Sequence, residues 1–197
     1  MTLILASGSS TRRKLLANAG LSFEVVPADL DERAAEQPLL EARATPKDLA
    51  LALAMAKAIL VSERHPGPLV IGADQILELD GARLTKPEDM EAARRQLLSL
   101  SGRTHQLHSA VVCARAGAIV WQHADTAQLT MRTLGPAFVG RYLAQVGSAA
   151  LTTVGAYQLE GLGIQLFEAI EGDYFTILGL PLLSLLRFLR AEGVLDS

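Results

Sequence analysis

Short apolar runs alternate along the chain with longer stretches of mixed hydrophobic and polar residues, the pattern of an α/β protein. Leu3-Ile4-Leu5 predicts a short buried first strand. A small, hydroxyl-rich loop from Ala6 to Ser10 follows, and Thr11-Arg12-Arg13-Lys14 opens a helix that carries Leu15, Leu16 and Ala19 and ends at Gly20. Phe23 to Val26 predicts a second strand, and residues 34–44 read as a polar, partly helical connection. Thr45 caps the next helix, with Pro46 at its first position and Asp48 at its third, and the Ala/Leu-rich segment carries on to Ser62. Leu69-Val70-Ile71-Gly72 predicts a buried strand; Gly72 and Ala73 leave little side-chain bulk before the carboxylate of Asp74. Such an Asp either caps a turn or stands at the rim of a sheet, where small neighbours let a ligand or another backbone approach.

The second half continues the alternation. Ile76–Leu79 and Ala82–Leu84 flank Asp80-Gly81, a two-residue hairpin signal, and Pro87 starts a helix that ends near Ser101-Gly102. His105–Ala114 and Ala118–Met131 predict a long antiparallel pair. His105 and His108 are three apart, so on one strand they face opposite sides and do not suit one metal. Trp121 and His123 read as structural, and Pro136 opens an amphipathic helix to Val146. Val154–Gly163 reads as a hairpin with a glycine-rich tip, leading into Ile164–Phe167, with Glu160 beside the tip. A turn at Glu171–Tyr174, a strand at Phe175–Leu178 and a final helix starting at Gly179-Leu180-Pro181 complete the chain. Leucines and Phe188 surround most of that helix, which points to deep burial or a subunit contact.

Composition narrows the class. With 197 residues, half of them hydrophobic and 20% charged, the chain predicts one ordinary globular domain spanning residues 1–197. A formal charge of -3 gives no overall pull toward nucleic acid. Cys113 is the only cysteine, which excludes an intrachain disulfide and a thiolate metal cluster. No apolar run approaches the roughly 18 residues that span a bilayer, and the opening apolar run is too short for a signal peptide. The expectation is a cytoplasmic protein with no membrane partner.

Candidate chemistry concentrates in a few places. A helix N-terminus is the positive end of the dipole, yet Arg12, Arg13 and Lys14 crowd the first predicted one. Either the three cations are solvated, or a bound anion is held by backbone N–H groups, hydroxyls and guanidinium together. The segment is not a nucleotide-binding loop of the G-x-x-x-x-G-K-[ST] type. Asp29, Asp31 and Glu32 are either solvated or oxygen ligands for a hard cation such as Mg²⁺. Lys57, between Ala56 and Ala58, is either exposed or reaches into a cleft toward phosphate. Lys86 is a second cation near a helix start.

Taken together, the motifs resemble the Maf family of nucleoside triphosphate pyrophosphatases over nearly the whole length. The matching pieces are Leu5-Ala6-Ser7-Gly8-Ser9 with Arg12 and Leu15-Leu16, Asp31-Glu32, Lys57-Ala58, Gly72-Ala73-Asp74 and Lys86-Pro87, followed by Ser101-Gly102-Arg103-Thr104-His105, Gly155-Ala156-Tyr157 and Gly179-Leu180-Pro181-Leu182. Their order and spacing, more than any single piece, carry the resemblance. It implies an elongated mixed β-sheet with flanking helices and two lobes around a deep cleft, related to the inosine triphosphatase type, and a homodimer. It also implies cleavage of the α–β phosphate bond of a nucleoside triphosphate, with a divalent cation, Mg²⁺ or Mn²⁺. By position, Asp74 matches the catalytic carboxylate and a metal ligand, and Glu32 its acidic partner at the metal. Ser7, Arg12, Lys57 and Lys86 match phosphate-handling residues.

The resemblance also bears on the base. The family's specificity positions are Thr11, Gln75 and Glu160 here. The form selective for dTTP and UTP carries Arg, Thr and Gln at these positions, and the form selective for 7-methyl-GTP carries Trp, Gln and Glu. This chain shares two of three with the second form. It also lacks the family's common Lys before Gly155-Ala156-Tyr157, with Thr153 nearby. A carboxylate at position 160 can accept from both N1–H and the exocyclic amine of guanine and attracts a cationic methylated ring. Thr11 cannot stack on a base as Trp does. The expectation is a purine-leaning pyrophosphatase, with 7-methyl-GTP as the finer reading. A dTTP/UTP-selective enzyme and a non-catalytic, nucleotide-binding regulator of cell division are the alternatives.

Overall fold

The computed structural model describes residues 2–196. Its strands are β1 (Leu3–Leu5), β2 (Glu24–Val25), β3 (Leu69–Leu79), β4 (Ala82–Leu84), β5 (Thr104–Arg115), β6 (Ala118–Met131) and β7 (Phe167–Glu171). They form a seven-stranded sheet in the order β2-β1-β3-β5-β6-β7, with β4 paired to β3. The sheet is mixed: β1 runs parallel to β2 and β3, while β4 and β7 are antiparallel to their neighbours. The helices are α1 (Ser10–Asn18), α2 (Glu32–Glu41), α3 (Pro46–Arg64), α4 (Met90–Leu100), α5 (Pro136–Val146), α6 (Tyr174–Ile177) and α7 (Leu182–Ala191). This is the α/β class and mixed sheet with flanking helices that the sequence predicts. No described helix is long and apolar enough to cross a membrane.

The chain divides into two compact units. The first holds the residues up to Gln75, His108–Thr126 and the residues from Asp173 on. Its core joins Leu5, Leu16, Ile71, Val111, Leu185 and Leu189, all fully or almost fully buried. Side-chain caps set its helix starts. Ser9 Oγ accepts from Arg12 N at 3.3 Å, Asp31 Oδ1 from Ala34 N at 3.1 Å and Thr45 Oγ1 from Asp48 N at 3.1 Å. Cys113 is buried in this core, and burial pushes its thiol well up, so it is inert packing.

Two expectations in this unit are corrected and one is extended. The strand predicted at Leu69–Gly72 continues through Asp74 to Leu79, so Asp74 lies inside a strand and not at its end. Gly72 has no positive φ and makes no turn; its bare Cα serves a close helix contact. The connection at 34–44, read as partly helical, is mostly α2, which Asp31 caps and which runs on despite Pro38 inside it. The strand predicted at Phe175–Leu178 is a single helical turn, α6, nucleated by Asp173 Oδ2 accepting from Thr176 N at 2.9 Å.

The second unit holds Ile76–Leu107 and Ala127–Gly172. The β3–β4 hairpin turns at Asp80 (φ 50) and Gly81 (φ 80) and pairs Leu79 with Ala82, as the Asp-Gly signal predicts. Helix α4 begins at Met90, three residues later than expected from Pro87, because Asp89 is the cap and accepts from Ala92 N at 2.6 Å. The hairpin expected over Val154–Phe167 does not form. Short 3₁₀ turns at Gly147–Leu151, Val154–Ala156 and Leu162–Leu166 take its place, and only Phe167 onward is strand. Gly155 and Ala156 hold φ of 79° and 60°, which breaks the extended backbone a strand needs.

Candidate active site

The site begins with a missing side chain. A Cβ at Gly72 would fall 2.3 Å from Ala54 O and 2.7 Å from Ala58 N, so β3 and α3 touch backbone to backbone. That contact brings Lys57, on α3, against Asp74, two residues along β3. Lys57 Nζ lies 2.6 Å from Asp74 Oδ1, and both residues are 8% exposed. Glu32, the first residue of α2, closes the cluster with Oε1 2.7 Å from the same Nζ. Burial raises the Asp74 carboxyl above the usual carboxylate range; the charges of Lys57 and Arg12 pull it down, and Glu32 adds to the rise. A carboxyl raised in this way holds a proton more readily than a solvated one, the property a proton acceptor needs. Lys57, which the sequence left open between solvent and phosphate, is instead bound between two carboxylates.

Arg12 sits beside this cluster and is anchored by the chain itself. Its Nε donates to Gly179 O at 2.8 Å, and its Nη1 donates to Ala73 O at 3.0 Å and to Ser7 Oγ at 3.1 Å. The sequence left Arg12 open between a solvated cation and one that holds an anion. It is instead a clamp that ties α1, β3 and the loop before α7 together, with its guanidinium plane fixed. Ser7, buried after β1, also accepts from Ser9 N at 3.3 Å.

Gln75 follows Asp74 and is held as firmly. Its Nε2 donates toward Ile177 O at 2.9 Å, Ser109 Oγ at 3.0 Å and Thr176 O at 3.2 Å, while Ser109 Oγ donates to Thr176 O at 2.7 Å. With its amide nitrogen committed inward, Gln75 turns its carbonyl oxygen the other way. A Cβ at Gly179 (φ +87) would fall 3.4 Å from Gln75 Oε1 and 3.4 Å from Arg12 Nη2, so that oxygen and the guanidinium border the same bare glycine. Thr11 lies half-buried on α1.

The first unit therefore gathers Ser7, Arg12, Glu32, Lys57, Asp74 and Gln75. Lys86 and Glu160 belong to the second unit. Lys86 is exposed between β4 and α4, and the late start of α4 removes it from a helix N-terminus. Glu160 is exposed in the segment between two 3₁₀ turns. The sequence missed Ser109 and Thr176, the partners of Gln75. One signal was present: Ser109 is a hydroxyl at the head of the apolar run Ala110–Ala114, where a buried polar group needs a partner. It also missed a pair in the second unit, where His105 Nε2 shares a 2.7 Å hydrogen bond with Tyr157 Oη. His108 bonds elsewhere, to Thr126 Oγ1 at 3.0 Å, so the two histidines serve separate partners.

The donor set suits a hard cation of one kind. Among the described residues no group of three His, Cys, Asp or Glu side chains could hold a metal. Glu32 and Asp74 supply two carboxylates, which is what Mg²⁺ takes when substrate phosphates and water complete its shell. These two carboxylates fit such a cation as part of its shell.

The fold is a mixed-sheet α/β protein whose first unit holds a buried carboxylate–ammonium cluster beside a fixed guanidinium. This chain belongs to the Maf-like protein family, whose profile it matches over residues 2–192. It is 61% identical over 195 residues to the 7-methyl-GTP pyrophosphatase of Mesorhizobium japonicum, covering 99% of this chain and 98% of that one. It is 52% identical over 192 residues to the nucleoside triphosphate pyrophosphatase of Paramagnetospirillum magneticum, covering 98% and 99%. Among solved structures, a HAM1 protein from Coxiella burnetii is similar at a TM-score of 0.44 and 15% identity, over 66% of this chain and 73% of that one.

Proposed function

We propose that the protein is a nucleoside triphosphate pyrophosphatase, which cleaves the α–β phosphate bond to give a nucleoside monophosphate and pyrophosphate. The observation that carries the reading is Asp74, a buried, up-shifted carboxylate bonded to Lys57 and flanked by Arg12. Near-full-length identity to relatives with this activity supports it.

In this reading Asp74 orients a water and takes its proton as the water's oxygen bonds to phosphorus. The bridging P–O bond breaks, and pyrophosphate leaves with the electron pair. Lys57 and Arg12 stabilise charge on the phosphate oxygens, and Ser7 fixes the Arg12 fork. Glu32 and Asp74 would hold a divalent cation, Mg²⁺ or Mn²⁺, which when bound supplies charge neutralisation on the phosphates. Lys86, in the second unit, is the further phosphate-handling residue that the family resemblance assigns.

For the base, Glu160 supplies an acceptor carboxylate and Gln75 a carbonyl oxygen, while Thr11 offers no stacking surface. A carboxylate at position 160 suits the N–H edge of guanine and favours the cationic 7-methyl ring. A homodimer in the cytoplasm is the assembly and setting this reading expects, and light scattering tests the first.

The deciding experiment is a nucleotide panel with Mg²⁺ and identified products. Monophosphate and pyrophosphate from 7-methyl-GTP and GTP, faster than from UTP or dTTP, is the expected result. Faster turnover of UTP overturns the base assignment. No pyrophosphate from any nucleotide overturns the activity.

A further inference from the structure

Two carboxylates suited to a divalent cation already share a monovalent one. Lys57 Nζ lies 2.7 Å from Glu32 Oε1 and 2.6 Å from Asp74 Oδ1. We propose that Lys57 is an internal counter-ion that keeps the metal off the free protein, so that metal and triphosphate load together. This rests on reading the cluster as the centre of a nucleotide pyrophosphatase.

The argument is one of charge. Glu32 and Asp74 are balanced by the ammonium of Lys57 and by the guanidinium of Arg12, whose field Asp74 feels. A divalent ion entering alone must displace the ammonium and leaves two positive charges uncompensated in a poorly solvated site. A triphosphate brings about four negative charges, which more than offset the two uncompensated positive ones and give the displaced ammonium new partners. The metal therefore binds weakly to the free protein and tightly beside phosphate, and by linkage the phosphate gains the same factor from the metal.

The local structure lets the ammonium move while the helix stays. The contact between α3 and β3 is made by the backbone and small side chains of Ala54, Ala58 and Gly72. Lys57 contributes only a long stem to it, ending in a group that carries three donors. Glu32 has a half-exposed side chain at the start of α2.

The test is calorimetric titration of the full chain with Mn²⁺, with and without an α,β-methylene analogue of GTP. Wild type is expected to bind Mn²⁺ about ten-fold or more tighter with the analogue present. Lys57→Met is expected to bind Mn²⁺ alone about ten-fold tighter than wild type and to lose most of the enhancement. Lys57→Gln should behave likewise, and circular dichroism checks that both fold. Equal or weaker Mn²⁺ binding by folded variants overturns the proposal, as does wild-type binding indifferent to the analogue. An arm without variants follows the Lys57 side-chain nitrogen by NMR. It should shift when Mg²⁺ and analogue are added together and stay in place with Mg²⁺ alone; a shift with Mg²⁺ alone overturns the proposal. Pyrophosphate release by wild type is scored separately, so loss of the underlying reading is distinguished from loss of the counter-ion role.

Discussion

Gly72 lies so close to Ala54 that a Cβ on it would fall 2.3 Å from the Ala54 carbonyl oxygen. The neighbours on that side are backbone atoms of α3, so no flexible side chain can yield. Gly72→Ala must push helix and strand apart, at an expected cost of about 3 kcal/mol or more. Because the same contact sets Lys57 on Asp74, activity should fall beyond what unfolding alone removes. Urea denaturation, with rates measured on the folded fraction, checks both.

Asp74→Asn is nearly isosteric and keeps a hydrogen-bonding group beside Lys57. It should leave the fold intact and lower pyrophosphate release by about 10²–10⁴-fold, the range of a lost general base. A rate within ten-fold of wild type, with an unchanged circular dichroism spectrum, removes Asp74 from proton transfer.

His105 makes stability depend on pH. It is 1% exposed, and burial holds its imidazole down to about 4 from an ordinary 6.5. Between those values the unfolded chain binds a proton that the folded chain refuses. Stability is therefore full above 6.5 and is lost as pH falls toward 4, by on the order of 3 kcal/mol from this group. Urea midpoints across that window should fall, and His105→Gln should flatten the fall. An unchanged slope in the variant assigns the effect elsewhere.

Gln75 reads outward only because its nitrogen is held inward. Ser109→Ala removes one of the three acceptors around Nε2 and should change the ratio of kcat/KM for 7-methyl-GTP over UTP by several-fold. Serine is the only residue of this size whose hydroxyl can both accept from Gln75 and donate to Thr176 O, so Ser109→Cys should rescue the ratio weakly. A fall in all rates with an unchanged ratio marks Ser109 as packing.

Glu160→Gln keeps the shape and removes the charge. It should alter base preference more than overall rate, with the largest loss for the cationic 7-methyl ring. Initial rates on paired substrates decide it; an unchanged preference removes Glu160 as a base reader.

Much of the fold is written in local patterns. Asp80-Gly81 turns a hairpin, Thr45-Pro46 starts α3 and Pro136 starts α5, because each of these signals acts within four residues of itself. Where the reading erred, distant partners or backbone geometry had overruled composition. Phe175–Leu178 has strand-forming residues, yet Asp173 caps it into a helical turn. Val154–Gly163 alternates small and large residues, yet the positive φ at Gly155 and Ala156 prevents a strand.

The same division runs through the site. The sequence by itself determined the inventory: a carboxylate after small residues, an acidic partner, three cations in known order, and the family they define. Residue type and spacing suffice for that, since they set which chemistry is available. Only the tertiary structure decided how these groups are spent. Gly72 reads as a place for a ligand or another backbone to approach, and it is the backbone of α3 that does. Arg12 reads as a free cation, and three chain oxygens hold it. Lys57 reads as a phosphate ligand, and two carboxylates hold it. The physical reason is common to all three. A buried charge or a bare backbone takes whatever partner the fold brings within about 3 Å, and that partner is remote in sequence.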